Sequence, residues 1–170
     1  MKDRELLEVA VGLREVVRAG WKRVGIERPE SVADHSYGVA LAALVLAPPE
    51  LDRLKVLSLA LLHDLPEVRV GDITPHDGVP REEKKRREAV AAAELFAHHP
   101  PLQALWRELE VGESAEAKFV KSMDLLDLEL MAAHYARGGV DTAELARSAG
   151  RFPFADGYPG GQPSARPPST

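Results

Sequence analysis

The stretch "LSLALLHDLPEVRVGD", residues 57–72, begins as an apolar run and ends in charge, and its reading decides the fold. Leu57, Leu59, Ala60, Leu61 and Leu62 are apolar around the helix circumference, the pattern of a helix buried on most sides. His63 and Asp64 follow at once, and Pro66 disfavours helical geometry in the residue before it. The expected element is a helix over Leu51–Leu65 that stops in the interior and leaves an imidazole and a carboxylate at its end. An unpartnered buried carboxylate is costly or is forced to protonate, so Asp64 needs a partner, and a divalent cation is the strongest available. An imidazole nitrogen beside a hard carboxylate oxygen suits Mn, Fe, Co, Ni or Zn better than Ca. An adjacent His and Asp can also cap a helix end and reach water; the dipeptide alone does not choose.

Outward from this stretch, apolar residues recur at helical spacing and no alternating strand pattern is present, so the fold class is all-α. A first helix is expected over Asp3–Ala19, with Leu6, Leu7, Ala10, Leu13 and Val17 on one face, Gly20 as its stop and a loop over "GWKRVGIERPE". Ser31 caps a second helix, "SVADHSYGVALAALVLA", with Asp34 completing a capping box and Pro48 and Pro49 ending it. "RVGDITPHDGVP" reads as a loop. "REEKKRREAVAAAELFAHH" is a helix with a mixed-charge solvated face, and "LQALWRELE" is a short helix behind Pro101. "SAEAKFVKSMDLLDLELMAAHYARGG" is a long helix capped by Ser114, and "DTAELARSAG" a last short one. The tail "PFADGYPGGQPSARPPST" is too rich in Pro, Gly and small polar residues to bury much and is expected to be disordered. The division is therefore one helical domain over residues 1–152 and a tail over 153–170.

Composition narrows the function. The chain has 170 residues, 45% hydrophobic and 29% charged, as suits one soluble domain. A formal net charge of -5 argues against a nucleic-acid polymer as partner but leaves room for a small anionic substrate. With no cysteine, there is no disulfide, thiolate metal site or Cys nucleophile, so any metal must use His, Asp or Glu. Asp3, Glu5, Glu8 and Glu15 make the N-terminus too acidic for a leader, and no apolar run approaches the roughly 20 residues of a membrane span. A cytoplasmic protein without a membrane partner is expected.

Other candidates lie far along the chain. His35 sits in the first turn of the second helix. Asp124 and Asp127 both interrupt the apolar helix "FVKSMDLLDLELM", and spacing does not choose between them. Glu67, four residues after His63, shares its face only if the helix continues through Pro66. A carboxylate beside a metal, but not on it, can take a proton from water or give one to a leaving group.

Taken in order, "SVADHSYGVA", "LALLHDLPEVRVGDITP", "EEKKRREA" and "AEAKFVKSMD" resemble the HD-domain phosphohydrolase superfamily and, within it, the 5'-deoxynucleotidase family, over Arg18–Tyr135. The resemblance implies a single HD-domain helical bundle with a metal site between helices, commonly a homodimer. It implies hydrolysis of deoxyribonucleoside 5'-monophosphates to deoxyribonucleoside and phosphate with one divalent metal ion (Mn, Co, Fe, Ni, Zn or Mg). The implied ligands are His35, His63, Asp64 and Asp124, the preceding "KFVK" selecting Asp124. Glu67 is implied as the catalytic carboxylate, facing the water, with Asp72 sharing the handling of protons. Asp72, Ile73, Thr74 and Pro75 are implied to hold the nucleotide, and Trp21 to pack near the sugar and exclude a 2'-hydroxyl. Some members carry an Arg immediately before that Trp; here Gly20 stands there, and Arg18 is the nearest cation for phosphate. Lys121 is a supporting charge. His76, His98, His99 and His134 fall outside the ligand pattern and are expected at the surface, which favours a single metal. Two other readings stay open: an HD hydrolase acting on a nucleoside triphosphate, cyclic nucleotide or alarmone, and a metal-stabilised interaction module without turnover.

Overall fold

The computed structural model describes residues 2–148; the expected domain end at residue 152 and the tail over 153–170 lie outside the described residues. Among the described residues the helices are α1 (Asp3–Val11), α2 (Ala19–Arg23), α3 (Val32–Leu46), α4 (Arg53–Leu62), α5 (Glu67–Val70), α6 (Arg81–Leu95), α7 (Pro100–Val111), α8 (Ala115–Arg137) and α9 (Ala143–Ser148). The β-pairing described is an isolated antiparallel bridge between Val17 and Ser31. The all-α class is as expected.

Two apolar clusters meet along α4. Val39 and Ala43 of α3, Val56, Leu59 and Ala60 of α4, and Phe119, Val120 and Met123 of α8 belong to one. Leu6, Leu13, Leu62, Leu65, Leu95, Phe96 and Trp106 belong to the other. Burial of a Leu side chain stabilises by about 1.5–3 kcal/mol, so Leu59 on one side and Leu62 and Leu65 on the other clamp the end of α4. His63 and Asp64 emerge at the seam.

Several boundaries differ from expectation. The helix expected over Asp3–Ala19 ends at Val11 and gives way to a 3₁₀ turn over Gly12–Arg14. The chain is drawn extended because Val32 N–H bonds to the Val16 carbonyl at 2.8 Å and Arg18 N–H to the Glu30 carbonyl at 3.1 Å. Gly20 does not stop a helix; it lies inside α2, which occupies part of the expected loop. Its first N–H, Ala19, donates to Asp72 Oδ2 at 2.7 Å, a partner no local pattern reveals. The helix expected over Leu51–Leu65 is α4, capped by Asp52, whose side chain accepts from Lys55 N–H. It ends at Leu62, and the chain then curls through tight turns, with Leu65 N–H to Leu62 O at 3.2 Å and Glu67 N–H to Asp64 O at 2.9 Å. Pro66 has no N–H to continue an α-helical ladder. Arg69 and Val70 belong to α5, and Pro75–Asp77 form a 3₁₀ turn, so the loop expected over 69–80 is partly helical. Gly71 ends α5 at φ +76, where a side chain would be strained, and turns the chain to present Asp72. The Ser31–Asp34 capping box and the Ser114 cap are present. The helix behind Pro101 is longer than expected because Pro100 and Pro101 together open its first turn.

Candidate metal centre and substrate cleft

Three helices deliver the metal-type side chains. His35 stands in the first turn of α3, wholly buried; His63 and Asp64 follow α4; Asp124 lies on α8. Ligand atoms of His35, His63 and Asp64 all fall within 4.8 Å of one another. His35 Nε2 is 3.3 Å from His63 Nε2, 3.7 Å from Asp64 Oδ2 and 3.1 Å from Asp124 Oδ1, and His63 Nε2 is 3.1 Å from Asp64 Oδ2. Asp124 joins the group through His35. Donors about 2.1 Å from one ion and at right angles to each other lie about 3 Å apart, the spacing seen.

The tautomers sharpen this fit. His63 Nδ1 lies 2.7 Å from the Ala60 carbonyl, which can only accept, so Nδ1 carries the proton. His35 Nδ1 lies 2.8 Å from Asp127 Oδ2 and donates in the same way. In their neutral forms both imidazoles therefore carry the lone pair on Nε2, aimed at a point already faced by carboxylate oxygens. Four acceptors around one point require a cation. Without a metal, a proton supplies that positive charge. Burial opposes a charged His35, yet hydrogen bonds to Asp124 and Asp127 outweigh it and push its pKa up to about 10. Burial likewise works against ionised Asp64, but His63, His35 and Arg18 hold it well below the usual carboxylate range. The residues present fit a divalent metal ion.

The role of Asp127 is what sequence reasoning missed. It interrupts the same helix as Asp124, but whereas the Asp124 side chain is 41% exposed, that of Asp127 is 12% exposed and spent on orienting His35. The space for it is made by Gly38 on α3, where a Cβ would lie 2.8 Å from Asp127 Cγ. A glycine one turn after a candidate ligand His, in an otherwise apolar helix, is the signal that was available.

Glu67 is withdrawn from solvent. It is 3% exposed, tucked under the seam by the turn at Pro66, and its Oε2 has no hydrogen-bond partner. Its Oε1 lies 3.7 Å from Lys84 Nζ on α6, and Lys84 also donates to the Ile73 carbonyl at 2.9 Å. Burial foremost, with Asp64 and Asp72 adding repulsion, pushes the Glu67 pKa up to about 10.

A cleft of ≈ 230 Å³ opens beside this centre, lined by Arg18, Trp21, Asp72, Ile73, Thr74 and Pro75 among others. The structure therefore brings the six expected substrate-side residues to one concavity. Arg18 joins it to the metal centre, with Nη1 3.7 Å from Asp64 Oδ2 and 3.8 Å from Asp72 Oδ1. Asp72 is engaged on both oxygens, by Ala19 N–H and by Arg18. Trp21 is 1% exposed; its Nε1 donates to Glu30 at 2.7 Å and its ring meets Tyr135 edge-on at 5.1 Å, so it is a fixed wall. Thr74 caps the 3₁₀ turn that follows it. Lys121 lies in a smaller pocket with His63, Asp64 and Asp124, its Nζ held by the Glu110 carbonyl at 3.3 Å. His76, His98 and His134 are exposed, and His99 pairs with Asp3 at 3.0 Å; none joins the metal centre.

Comparison with known proteins places this geometry among relatives. A family model described as HD domain matches residues 10–151. The 5'-deoxynucleotidase HDDC2 of Bos taurus is 43% identical over 136 residues, covering 77% of this chain and 66% of the relative. For HDDC2 of Homo sapiens the figures are 41%, 77% and 67%, and for the 5'-deoxynucleotidase hdd1 of Schizosaccharomyces pombe 36%, 74% and 68%. The chain thus spans about two thirds of the length of these relatives. Among solved structures, a conserved hypothetical protein from Pyrococcus furiosus superposes with TM-score 0.77 at 32% identity, covering 86% of this chain and 87% of its own. A protein from Magnetospirillum magnetotacticum, described as a predicted metal-dependent phosphohydrolase, gives TM-score 0.63 at 28% identity, covering 86% and 79%.

Proposed function

This chain belongs to the HD-domain family, and from that premise we propose that it is a metal-dependent 5'-deoxynucleotidase, converting a deoxyribonucleoside 5'-monophosphate and water to deoxyribonucleoside and phosphate. The observation that carries the reading is the convergence of acceptor atoms from His35, His63, Asp64 and Asp124 beside a cleft with Arg18 at its inner edge. The relatives named for this activity support it.

A divalent ion held by those four side chains would polarise the phosphoryl group and acidify water near neutrality. The chain's own residues do the rest. Arg18 neutralises phosphate charge at the inner end of the cleft, and Asp72, bound to Ala19 N–H and facing Arg18, holds that guanidinium and the entrance loop together. Asp72 is therefore a positioning group, and the proton falls to Glu67. Burial keeps Glu67 protonated at neutral pH, so its unpartnered Oε2 is the atom free to pass a proton to the departing 5'-oxygen. Trp21, fixed by Glu30 and Tyr135, forms the rigid wall against the sugar. The mixed nitrogen and oxygen donors favour Mn, Fe, Co, Ni or Zn over Ca.

The same reading includes a homodimer and a cytoplasmic location. Tyr37, Leu41, Leu44 and Val45 stand exposed on α3 at the spacing of one helix face, a surface suited to a second copy; sedimentation of the chain tests it. No helix among the described residues is long and apolar enough to cross a membrane, and cell fractionation tests the location. The decisive assay is phosphate release from dAMP, dGMP, dCMP and TMP, with AMP and a deoxynucleoside triphosphate for comparison, in Mn, Co, Mg or chelator. No release from any monophosphate with any metal overturns the proposal; equal rates on dAMP and AMP remove the role given to Trp21.

A further inference from the structure

The cleft has a wall that the reaction above leaves without a task. Its inner end is polar, with Arg18 and Asp72 next to the metal centre and Lys84 next to Glu67. Apolar side chains from late in the chain also line it: Leu128 of α8 and Leu145 of α9. Leu145 lies against α2 because residue 20 has no side chain; a Cβ there would stand 3.3 Å from Leu145 Cδ2 and 3.8 Å from Cδ1.

α9 is only six residues long, too short to hold itself, and it is tied down by its neighbour Glu144. Arg23 of α2 donates twice to Glu144, at 3.2 Å to Oε2 and 2.9 Å to Oε1. His76, in the turn after the loop over 72–75, places Nε2 2.9 Å from the same Oε1. Glu144 therefore ties α9 to both banks of the cleft at once, and Leu145 is presented between them. A bidentate Arg–carboxylate pair fixes orientation as well as distance, which is what a wall requires.

We infer that Leu145, seated over Gly20 and held by the Arg23–Glu144–His76 clasp, is a specificity-determining residue that receives the apolar face of the substrate's nucleobase. The inference rests on the nucleotidase reading: with the phosphate drawn to Arg18 and the metal centre, the base is left to the apolar lining that Leu128 and Leu145 supply. Glu144 is a positioning residue that acts through Leu145.

The test uses the full chain loaded with the metal that best supports activity, and compares dAMP with 2-deoxyribose 5-phosphate, which has the sugar and phosphate without a base. Leu145→Ala removes most of an apolar side chain from the wall, and the expected result is a rise of about tenfold in KM for dAMP relative to KM for the base-free ester. Leu145→Met, which keeps the volume, restores the wild-type ratio. Glu144→Gln weakens the clasp without touching the wall and shifts the ratio in the same direction by a smaller factor, so the inference stays testable if Leu145→Ala does not fold. Equal rises for both substrates in Leu145→Ala, or an unchanged ratio in both variants, overturn the inference while leaving the nucleotidase reading standing. A wild-type chain that hydrolyses neither substrate overturns both.

Discussion

Replacing Gly38 by Ala should reverse the sign that helix propensity gives. Gly38 lies inside α3, and Ala in a helix interior is normally more stabilising than Gly by about 0.8–1 kcal/mol. Here the added Cβ would lie 2.8 Å from Asp127 Cγ and closer still to Oδ1. Asp is too short to swing aside and still hold His35 Nδ1 at 2.8 Å, so the carboxylate is expelled. The buried imidazole N–H then loses its acceptor, at a cost of about 1–3 kcal/mol, and α3 shifts or Asp127 adopts a poorer rotamer at about 0.5–1.5 kcal/mol. The sum outweighs the propensity gain, leaving a net destabilisation of about 0.5–3.5 kcal/mol. Loss of the group that orients a ligand imidazole should also lower metal affinity about 10–100-fold. The assays are thermal unfolding in chelator and a competitive metal titration with a chromophoric chelator. A higher melting temperature with unchanged metal affinity would refute the account of Asp127 as the support of His35.

Glu67→Gln keeps the shape of a side chain that touches no proposed ligand atom, so phosphate release should fall by about 10²–10⁴-fold while metal affinity stays near wild type; loss of metal binding in a titration would make Glu67 a ligand instead. Arg18→Ala removes the cation between Asp64 and Asp72, and steady-state kinetics should show KM for dAMP raised by about 10–100-fold; an unchanged KM would place the phosphate elsewhere. In chelator, His35 titrates near 6.5 unfolded and about 10 folded, so between these values the folded chain binds the extra proton. Its contribution to stability is full below pH 6.5 and is lost as pH rises through about 10. Glu67, raised from 4.5 to about 10, has the same sign. Melting temperature in chelator should therefore fall from neutral to alkaline pH, and saturating metal, by taking the proton's place, should flatten the curve; a rise with pH in chelator would contradict it.

The metal centre was more legible than the route to it. His63 and Asp64 could be read because an apolar run ended on them, and burial follows from the run whatever the partners are. Asp127 could not, because its burial depends on a glycine on another helix, and periodicity within α8 treats the two aspartates alike. The break of the first helix before Val17 and the helix through Gly20 are set by bonds from Val32, Glu30 and Asp72, which local propensity does not see. Pro66 signals a turn before Glu67 but not its depth, which is set by the tight turns that keep Glu67 curled beneath the seam.

The metal-binding side chains and the cleft walls are built on different kinds of support. His35 and Asp124 ride on α3 and α8, long helices whose apolar faces form the core, and His63 and Asp64 follow a third such helix. Most cleft walls come from short pieces: five-residue α2, the turn after Asp72 and six-residue α9. Apart from the buried Trp21, these pieces bury little, and such connecting segments tolerate change better than the helices they join. Chemistry and choice of substrate thus rest on separate parts of the chain, so a change in the walls can alter which leaving group fits while the ligand-bearing helices stay as they are.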